Sequence, residues 1–149
     1  MRRAYIAGFD VFRPDAVEWM EVQRELLRRY GIEGLFPLDN EATDSAEIFR
    51  GNTGMIDRCD FVIANLNPFR GAEPDSGTAF EVGYACRAGK QVYGYLSDGR
   101  TLREKLGPAD EAGYAVENFG YPVNLMLALG ARIVPGDFEN CVRTASGES

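Results

Sequence analysis

Short apolar runs alternate with longer segments of helical periodicity along this chain, and that alternation restricts the fold more than any other feature of the sequence. Strands separated by helices pair in parallel, and a parallel sheet carries helices on both faces. The run FVIANL, residues 61–66, is apolar enough to be buried on both faces, as a central strand is. The sequence therefore predicts an α/β fold with a five-stranded parallel sheet. The predicted strands are residues 4–8, 34–38, 61–66, 91–96 and 131–136.

The segments between these runs have the spacing of amphipathic helices. In residues 14–30, Trp19, Val22 and Leu26 recur at helical spacing, and Gly31 suits the helix end. The alternation favours a flavodoxin-like, Rossmann-like three-layer sandwich, and we expect one domain over residues 1–149. The other predicted helices are residues 45–58, 76–88, 124–129 and 138–145.

Residues 97–121 do not fit the alternation. They are polar and contain glycine, and they are much longer than the usual connection of about 4 to 6 residues. Such a segment is either a functional lid or badly ordered, and the sequence does not distinguish these two alternatives.

Charge and hydropathy narrow the class of partner. The net charge is −7 and there is no run of basic residues. Because nucleic-acid binding needs clustered Lys and Arg, small molecules are the expected partners and nucleic acid is not. The N-terminal apolar run is too short for a signal peptide, and no segment reaches the roughly 18 apolar residues of a membrane span. We therefore expect a soluble, cytoplasmic protein with no membrane partner.

The chain has no histidine, which excludes imidazole acid–base catalysis, histidine triads and histidine-ligated metals. Cys59, Cys86 and Cys141 are odd in number and lack CxxC spacing, so neither a disulfide framework nor a zinc site is indicated. Catalysis must use carboxylates, tyrosine, lysine, cysteine or amides, and we expect no metal and no other cofactor.

In a flavodoxin-like fold, ligands lie beyond the carboxyl ends of the first and third strands. This placement predicts one crevice formed by Phe9, Asp10, residues 65–69 and the segment that leads to Glu81.

Glu81 is the only charged residue between Gly77 and Ala85, on a helix face that we expect to be partly buried. Burying a carboxylate without a partner is costly, and a poorly hydrated carboxylate is a usable nucleophile. Asp75, at the predicted helix start, can approach the same crevice. The alternative is structural, because Asp75 suits an N-cap and a Glu in the first turns favours the helix dipole.

Three further side chains each have a functional and a structural interpretation. For Asp60, before a central strand, we favour the structural one, in which it binds backbone amides. Asp39, together with Asn40, follows a strand and suits either ligand binding or a turn. Tyr5, in the first strand, either directs its hydroxyl into the crevice or belongs to the core.

Five stretches in register resemble the nucleoside 2-deoxyribosyltransferases: YIAGFDVF, PLDNEA, IFRGNTGMIDRCDFVIANLNPFRG, EPDSGTAFEVGYA and YPVNLML. The resemblance covers residues 5–127. It implies an enzyme of deoxyribonucleoside salvage that moves 2-deoxyribose from a 2′-deoxynucleoside to a free purine or pyrimidine base through a covalent glycosyl-enzyme. Such chemistry proceeds with retention and uses carboxylates without a metal.

The resemblance also implies roles for individual residues. Glu81 is similar to the family's nucleophile, Asp75 to the carboxylate that binds the sugar hydroxyl, and Tyr5 to the hydroxyl that orients the nucleophile. Asn124 corresponds to the asparagine that reaches the neighbouring subunit's site, with Met126 lining that site. A homo-oligomer with shared active sites is therefore expected.

We expect the apolar side chains of Phe9, Phe69 and Met126 to bind the base, with residues 97–121 closing over the site. Longer family members carry an aspartate where this chain has Asn52, whose amide can hydrogen-bond a base but cannot deliver a proton. The sequence decides neither the proton donor, nor the choice between purines and pyrimidines, nor the oligomer size.

Two other functions compete with this one. A 2′-deoxynucleoside 5′-monophosphate N-glycosidase shares the fold and nucleophile but needs a phosphate pocket, for which Arg70 and Arg50 are candidates. A non-catalytic nucleotide-sensing or receiver-like domain on the same fold is the other alternative. Asn65 stands where a phosphoacceptor receiver has an aspartate, and GFDVFRPD is not the phosphate loop of a flavodoxin.

Overall fold

The computed structural model describes residues 1–147 and contains one five-stranded sheet in the order β2-β1-β3-β4-β5. Every strand pair in it is parallel. This is the predicted flavodoxin-like topology, in which the chain reverses direction across the sheet between β1 and β3. The strands are β1 Arg2–Ala7, β2 Ile32–Leu35, β3 Phe61–Asn65, β4 Gln91–Leu96 and β5 Arg132–Pro135.

Helices cover both faces of this sheet, as the alternating pattern predicts. The helices are α1 Ala16–Arg29, α2 Ser45–Arg58, α3 Ser76–Arg87, α4 Leu102–Leu106, α5 Leu125–Gly130 and α6 Phe138–Ala145, with short 3₁₀ helices at Phe9–Phe12 and Pro37–Asp39.

The pleat of β1 and β3 divides the core into two layers. On one face, residues such as Ile6 and Ile63 pack with side chains from α1 and α6. On the other face, Tyr5 and Val62 pack with side chains from α2, α3 and α5. Successive side chains of a strand point to opposite faces, so Tyr5 is committed to the α2–α3 side by its position alone. All five residues of β3 are buried, in agreement with a central strand.

Four of the five predicted strands differ from the structure in their bounds. The third, Phe61–Asn65, is shorter than predicted by one residue, and the fifth, Arg132–Pro135, by one residue at each end. The strand predicted at 34–38 is Ile32–Leu35, because Pro37 cannot donate to the ladder and instead starts a 3₁₀ turn. The first strand begins at Arg2 rather than residue 4. Its guanidinium lies 4.2 Å from the ring centre of Phe61, so a charged residue still finds a packing partner there.

Residues 97–121 are folded, which removes the poorly ordered alternative, and they contain the unpredicted helix α4. Thr101 and Glu104 form a capping box at its start. The segment is tied down by the backbone bond from Leu102 N to Tyr121 O, 2.9 Å, and by Lys105 Nζ donating to the Pro122 carbonyl at 3.0 Å. Its closure over a ligand remains a prediction.

A helix able to span a membrane would have to be longer and more apolar than any found in residues 1–147.

Candidate active site

A cavity of about 450 Å³ opens at the carboxyl end of β1, between α2 and α3. This volume lies within the range of small-molecule sites. Its polar lining includes Asn52, Asp75 and Glu81, and most of the remaining wall is apolar. An apolar cavity with a few convergent polar groups is the usual form of a ligand site. The apolar side chains of the wall are Val11, Phe12, Pro37, Ile48, Phe49 and Phe80.

Glu81 reaches this cavity from the second turn of α3 and is held by one hydrogen bond. The hydroxyl of Tyr5 donates to Glu81 Oε2 in a short bond. Tyr5 is fully buried in β1, so a rigid central strand sets the direction of the carboxylate. No residue among 1–147 donates to the other oxygen, Oε1, which is left to act on a ligand.

The electrostatics of Glu81 and Tyr5 favour a partly desolvated nucleophile. Burial raises the pKa of Glu81 from 4.5 to about 7, with a further rise from the charge of Asp75, while the Tyr5 hydrogen bond acts to lower it. Burial, followed by the neighbouring charge of Glu81, raises the pKa of the Tyr5 hydroxyl far above its ordinary value. Tyr5 therefore stays protonated and remains a donor, and Glu81 changes charge near neutral pH.

Asp75 both caps a helix and lines the cavity. It is the N-cap of α3, and its Oδ2 accepts from Thr78 N at 3.0 Å and from Thr78 Oγ1 at 2.8 Å. It also lines the cavity that contains Glu81. Within the described chain, its second oxygen, Oδ1, accepts no hydrogen bond. The cap fixes the carboxylate and leaves one oxygen free to contact a ligand.

Asn52 lies in the cavity wall on α2, and its amide makes no hydrogen bond within residues 1–147. Its Oδ1 is closed off from water. A buried amide oxygen without a donor is unfavourable by about 1–3 kcal/mol, which a ligand donor can offset. The structure therefore brings Asn52, Tyr5, Asp75 and Glu81 to one site.

The predicted aromatic residues are arranged differently from the expectation. Phe9 and Phe69 stack on each other with ring centres 4.7 Å apart, and neither lines the cavity. Phe69 also stacks on Phe12, at 5.7 Å, and it is Phe12 that forms the cavity wall. Phe9 and Phe69 thus act, in this chain, as the support of a wall residue.

Sequence reasoning missed the aromatic pair on the other side of the cavity. Phe49 of α2 and Phe80 of α3 are 55% and 53% exposed, with ring centres 5.7 Å apart. Large aromatic side chains that remain exposed beside a cavity are typical of ligand contacts. The available signal was the position of Phe80 next to Glu81, and of Phe49 one helical turn before Asn52.

Two predicted residues lie elsewhere in this chain. Asn124 caps α5, with Oδ1 accepting from Leu127 N at 3.1 Å. Together with Met126 it lines a separate cavity of about 440 Å³ on the opposite side of α3. The structure of one chain does not bring them to Glu81.

Asp39 is occupied by its own neighbourhood. Its Oδ1 accepts from Arg24 at 2.6 Å, and its Oδ2 accepts from the backbone N–H of Phe36 at 3.0 Å. The structure therefore gives it the turn role, and a contact with ligand stays a prediction.

Asp60 has the structural role expected from the sequence, because its Oδ2 accepts from Arg3 N at 2.7 Å.

The order of these elements and the site agree with a known family. Its model, described as nucleoside 2-deoxyribosyltransferase, matches residues 4–126 of this chain. The chain belongs to the nucleoside 2-deoxyribosyltransferase family.

Two solved structures and one curated protein are similar to this chain. The 2-deoxyribosyltransferase of Leishmania mexicana is 40% identical, with a TM-score of 0.91 over 99% of this chain and 98% of that one. An uncharacterized protein of Schizosaccharomyces pombe is 38% identical over 112 residues, and the match spans 68% of this chain and about half, 53%, of the yeast protein. A CMP N-glycosidase of Clostridium botulinum, 17% identical with a TM-score of 0.56 over 97% of this chain and 98% of that one, shares the fold.

Proposed function

We propose that this protein transfers the 2-deoxyribosyl group of a 2′-deoxynucleoside to a free purine or pyrimidine base, through a covalent intermediate on Glu81. One observation carries the proposal. The Glu81 carboxylate, held by Tyr5, lies beside Asp75 in a cavity that is otherwise mostly apolar. Membership of the nucleoside 2-deoxyribosyltransferase family supports the same reaction.

In the first step, Glu81 Oε1 attacks the anomeric carbon as the bond from that carbon to the base nitrogen breaks. The bonding electron pair leaves with the base, and positive charge develops on the sugar ring in an oxocarbenium-like transition state. Asp75 Oδ1 accepts a hydrogen bond from a sugar hydroxyl and orients the ring. The Tyr5 hydroxyl holds Oε2, so that Oε1 is the oxygen presented to the sugar.

In the second step, a nitrogen of the incoming base attacks the same carbon and the bond to Glu81 breaks, which restores the carboxylate. The incoming base loses its N–H proton to solvent, and the departed base takes one up from solvent, so the exchange is balanced. Two displacements give net retention at the anomeric carbon. Water competes at about 55 M, and a bound base wins only when its effective molarity, about 10⁵ M or more for a well-placed reactant, exceeds that value. The apolar walls around Phe12, Phe49 and Phe80 serve this purpose by holding the planar base and limiting water.

Asn52 is the polar contact that we assign to the base. Its amide can donate one hydrogen bond and accept another, but it cannot transfer a proton as a carboxylic acid does. Asn52 therefore stabilises the charge that develops on the departing base without protonating it.

We further propose that the functional unit is a homo-oligomer in which Asn124 and Met126 complete a neighbouring chain's site. Met126 is 76% exposed, and both residues lie away from the Glu81 cavity of their own chain. Mixing inactive Glu81→Ala subunits with inactive Asn124→Ala subunits should restore activity, because some sites then contain both intact residues. Absence of recovery after verified subunit exchange would contradict shared sites.

A 2′-deoxynucleoside 5′-monophosphate N-glycosidase is the second candidate function. The position of Arg70 favours it, because this guanidinium is a candidate for binding the phosphate. The Arg70 guanidinium lies 4.9 Å from the ring centre of Phe12 at the cavity wall and makes no ion pair with any described residue. Arg50, the other candidate for phosphate binding, is already paired with Glu47.

Two parallel incubations separate the two functions. 2′-Deoxyadenosine is supplied in one and 2′-deoxyadenosine 5′-monophosphate in the other, each with hypoxanthine or cytosine, and the products are followed by chromatography. The transferase yields the new deoxynucleoside faster than free 2-deoxyribose, and without an acceptor base it releases 2-deoxyribose slowly. If added base never captures the sugar, and hydrolysis of the 5′-monophosphate proceeds at full speed, the N-glycosidase replaces the transferase.

A further inference from the structure

A chain of hydrogen bonds crosses the carboxyl ends of β4, β3 and β1, and the reaction proposed above does not use it. Ser97 donates to Asn67 Oδ1 from its N–H at 2.9 Å and from its hydroxyl at 3.1 Å. Asn67 donates to Asn65 Oδ1 from its N–H at 3.0 Å and from Nδ2 at 2.8 Å. Asn65 Nδ2 donates to Asp10 Oδ2 at 3.1 Å. Asn65 and Asp10 are 4% and 7% exposed, so the chain is sheltered from water at its Asp10 end, whereas Ser97 at the other end is exposed.

Every bond in the chain donates towards Asp10. An ionised carboxylate only accepts, so Asp10 makes the nitrogen of the Asn65 amide face it and leaves the amide oxygen for Asn67. Hydrogen bonds that run in one direction polarise and strengthen one another in a low-dielectric interior. The Arg13 guanidinium, 3.9 Å from Asp10 Oδ1, is the only cation paired with this carboxylate among residues 1–147. Asp10 thus determines the orientation of both amides.

The chain anchors the segment that presents Asp75. Asn67 is the second residue of the segment 66–75, which joins β3 to α3 and ends at the Asp75 cap. This segment is closed on itself by the pairing of Pro68 with Pro74, so its orientation depends on how its first residues are held. The bonds to Asn67 fix those residues against the ends of β3 and β4.

The same chain supports the cavity wall at Gly8. A Cβ added to Gly8 would lie 2.9 Å from Asp10 Oδ2 and 2.9 Å from Asn65 Cβ, so the backbone there is in close contact with the pair. Gly8 lines the cavity and directly follows β1, three residues after Tyr5. A shift of the pair would therefore move the wall as well as the Asp75 segment.

We propose that Asp10, Asn65 and Asn67 are positioning residues for base exchange, acting through Asp75 and the Gly8 wall without touching the substrate. The inference rests on the proposed transferase function. Misplacement by about 1 Å lowers the rate of a well-oriented reaction by about 10²-fold, so a loss of this anchor should appear in kcat more than in stability.

Relocating the charge tests the proposal. Asn65→Asp places two carboxylates face to face and breaks the bond to Asp10. The double variant Asp10→Asn with Asn65→Asp restores a donor and an acceptor, with the direction of that one bond reversed. We expect the single variant to lose at least about tenfold in kcat for base exchange and the double variant to recover most of it. The matched control is Asp60→Asn, which alters a carboxylate bound to β1 at the opposite end of the sheet and should leave kcat unchanged.

Hydrogen–deuterium exchange of residues 66–75 gives a second readout that does not depend on turnover. Asn65→Asp should increase exchange there, and the double variant should reverse the increase. Asn67→Ala, which changes a half-buried residue, should act in the same direction as Asn65→Asp and serves if that variant does not fold.

Three results would overturn the proposal: unchanged kcat in both Asn65→Asp and Asn67→Ala, unchanged exchange in residues 66–75, or a double variant as impaired as the single one. If the wild-type protein does not catalyse base exchange, the proposed transferase function is wrong. The anchoring role is then judged by hydrogen–deuterium exchange of residues 66–75 in Asn65→Asp: an unchanged rate contradicts it, and an increased rate supports it.

Discussion

The two ends of strands β1 and β3 differ in whether nearby polar side chains have hydrogen-bond partners. At the amino end, Asp60 accepts from Arg3 N, while Lys90 Nζ donates to the carbonyls of Asp57 and Cys59. At the carboxyl end, Glu81 Oε1, Asp75 Oδ1 and the Asn52 amide find no hydrogen-bond partner in residues 1–147. The Asn52 oxygen is closed off from water, and buried polar groups are normally satisfied. We therefore infer that the ligand binds at the carboxyl end of these strands.

Removing the proposed nucleophile at the carboxyl end should have the largest effect on activity. Glu81→Gln should lower kcat by about three orders of magnitude or more, because the amide cannot attack the sugar. Asp60→Asn, at the amino end, should keep nearly full activity. Both variants are compared by initial rates of base exchange, with circular dichroism to verify the fold. More than about a tenth of wild-type activity in Glu81→Gln, a barrier change under about 1.4 kcal/mol, contradicts the assignment.

A smaller loss is expected at the second carboxylate. In Asp75→Asn the amide oxygen can still cap α3 through Thr78, but a neutral acceptor binds a sugar hydroxyl more weakly than a charged one. We expect kcat/KM to fall by about 10- to 100-fold while the melting temperature changes little. A variant with full activity would show that Asp75 is only a cap.

The pH profile tests the environment of Glu81. Attack requires the ionised carboxylate, and its pKa is about 7, so kcat/KM should fall as pH decreases through 7. Tyr5→Phe removes the hydrogen bond that lowers this pKa, and the acidic limb should therefore move to higher pH. The limb is measured in matched buffers of constant ionic strength. A limb that stays in place, or moves to lower pH, would exclude the proposed role of Tyr5.

The smallest expected effects are on stability. The pKa of Glu81 is raised from 4.5 to about 7 in the folded state, so the folded protein binds this proton more tightly than the unfolded chain. Stability is therefore lost as the pH rises from 4.5 to about 7, and the loss is complete above pH 7. Glu81→Gln should raise the free energy of unfolding by about 1–3 kcal/mol at pH 8, with a smaller gain at pH 5. Asp60→Ala should lower it by about 1 kcal/mol at both pH values, as the loss of one structural hydrogen bond. Denaturant titrations check both, and equal gains for Glu81→Gln at the two pH values would contradict the linkage.

The sequence predicted the sheet and the carboxylates because both leave local signals. The burial of FVIANL needs only its composition, and Glu81 is conspicuous as a lone charge in an apolar helix. Phe9 and Phe69 were assigned to the base because they flank the crevice in sequence. The structure stacks them on each other and presents Phe12 instead. Which of several neighbouring aromatic residues reaches a cavity depends on helix orientation and stacking between distant loops, and neither has a local signature.

The helix inside residues 97–121 was missed for a similar reason. Its five residues carry too short a pattern for helical periodicity, and it is stabilised by bonds to Val116, Tyr121 and Pro122, which are distant along the chain. The second strand was displaced because the apolar run GLFPL continues through Pro37, although a proline cannot continue the ladder.

The proposed covalent bond between Glu81 and the sugar can be observed by mass spectrometry of peptides from the quenched enzyme. Wild-type protein is mixed with 2′-deoxyadenosine in the absence of an acceptor base, quenched in acid and digested for peptide mapping. We predict an added mass equal to one 2-deoxyribosyl group on the peptide containing Glu81, which disappears when a free base is added before the quench. Glu81→Gln should carry no such mass. Rapid turnover with no adduct at any quench time, or an adduct on a peptide that lacks Glu81, would contradict the account.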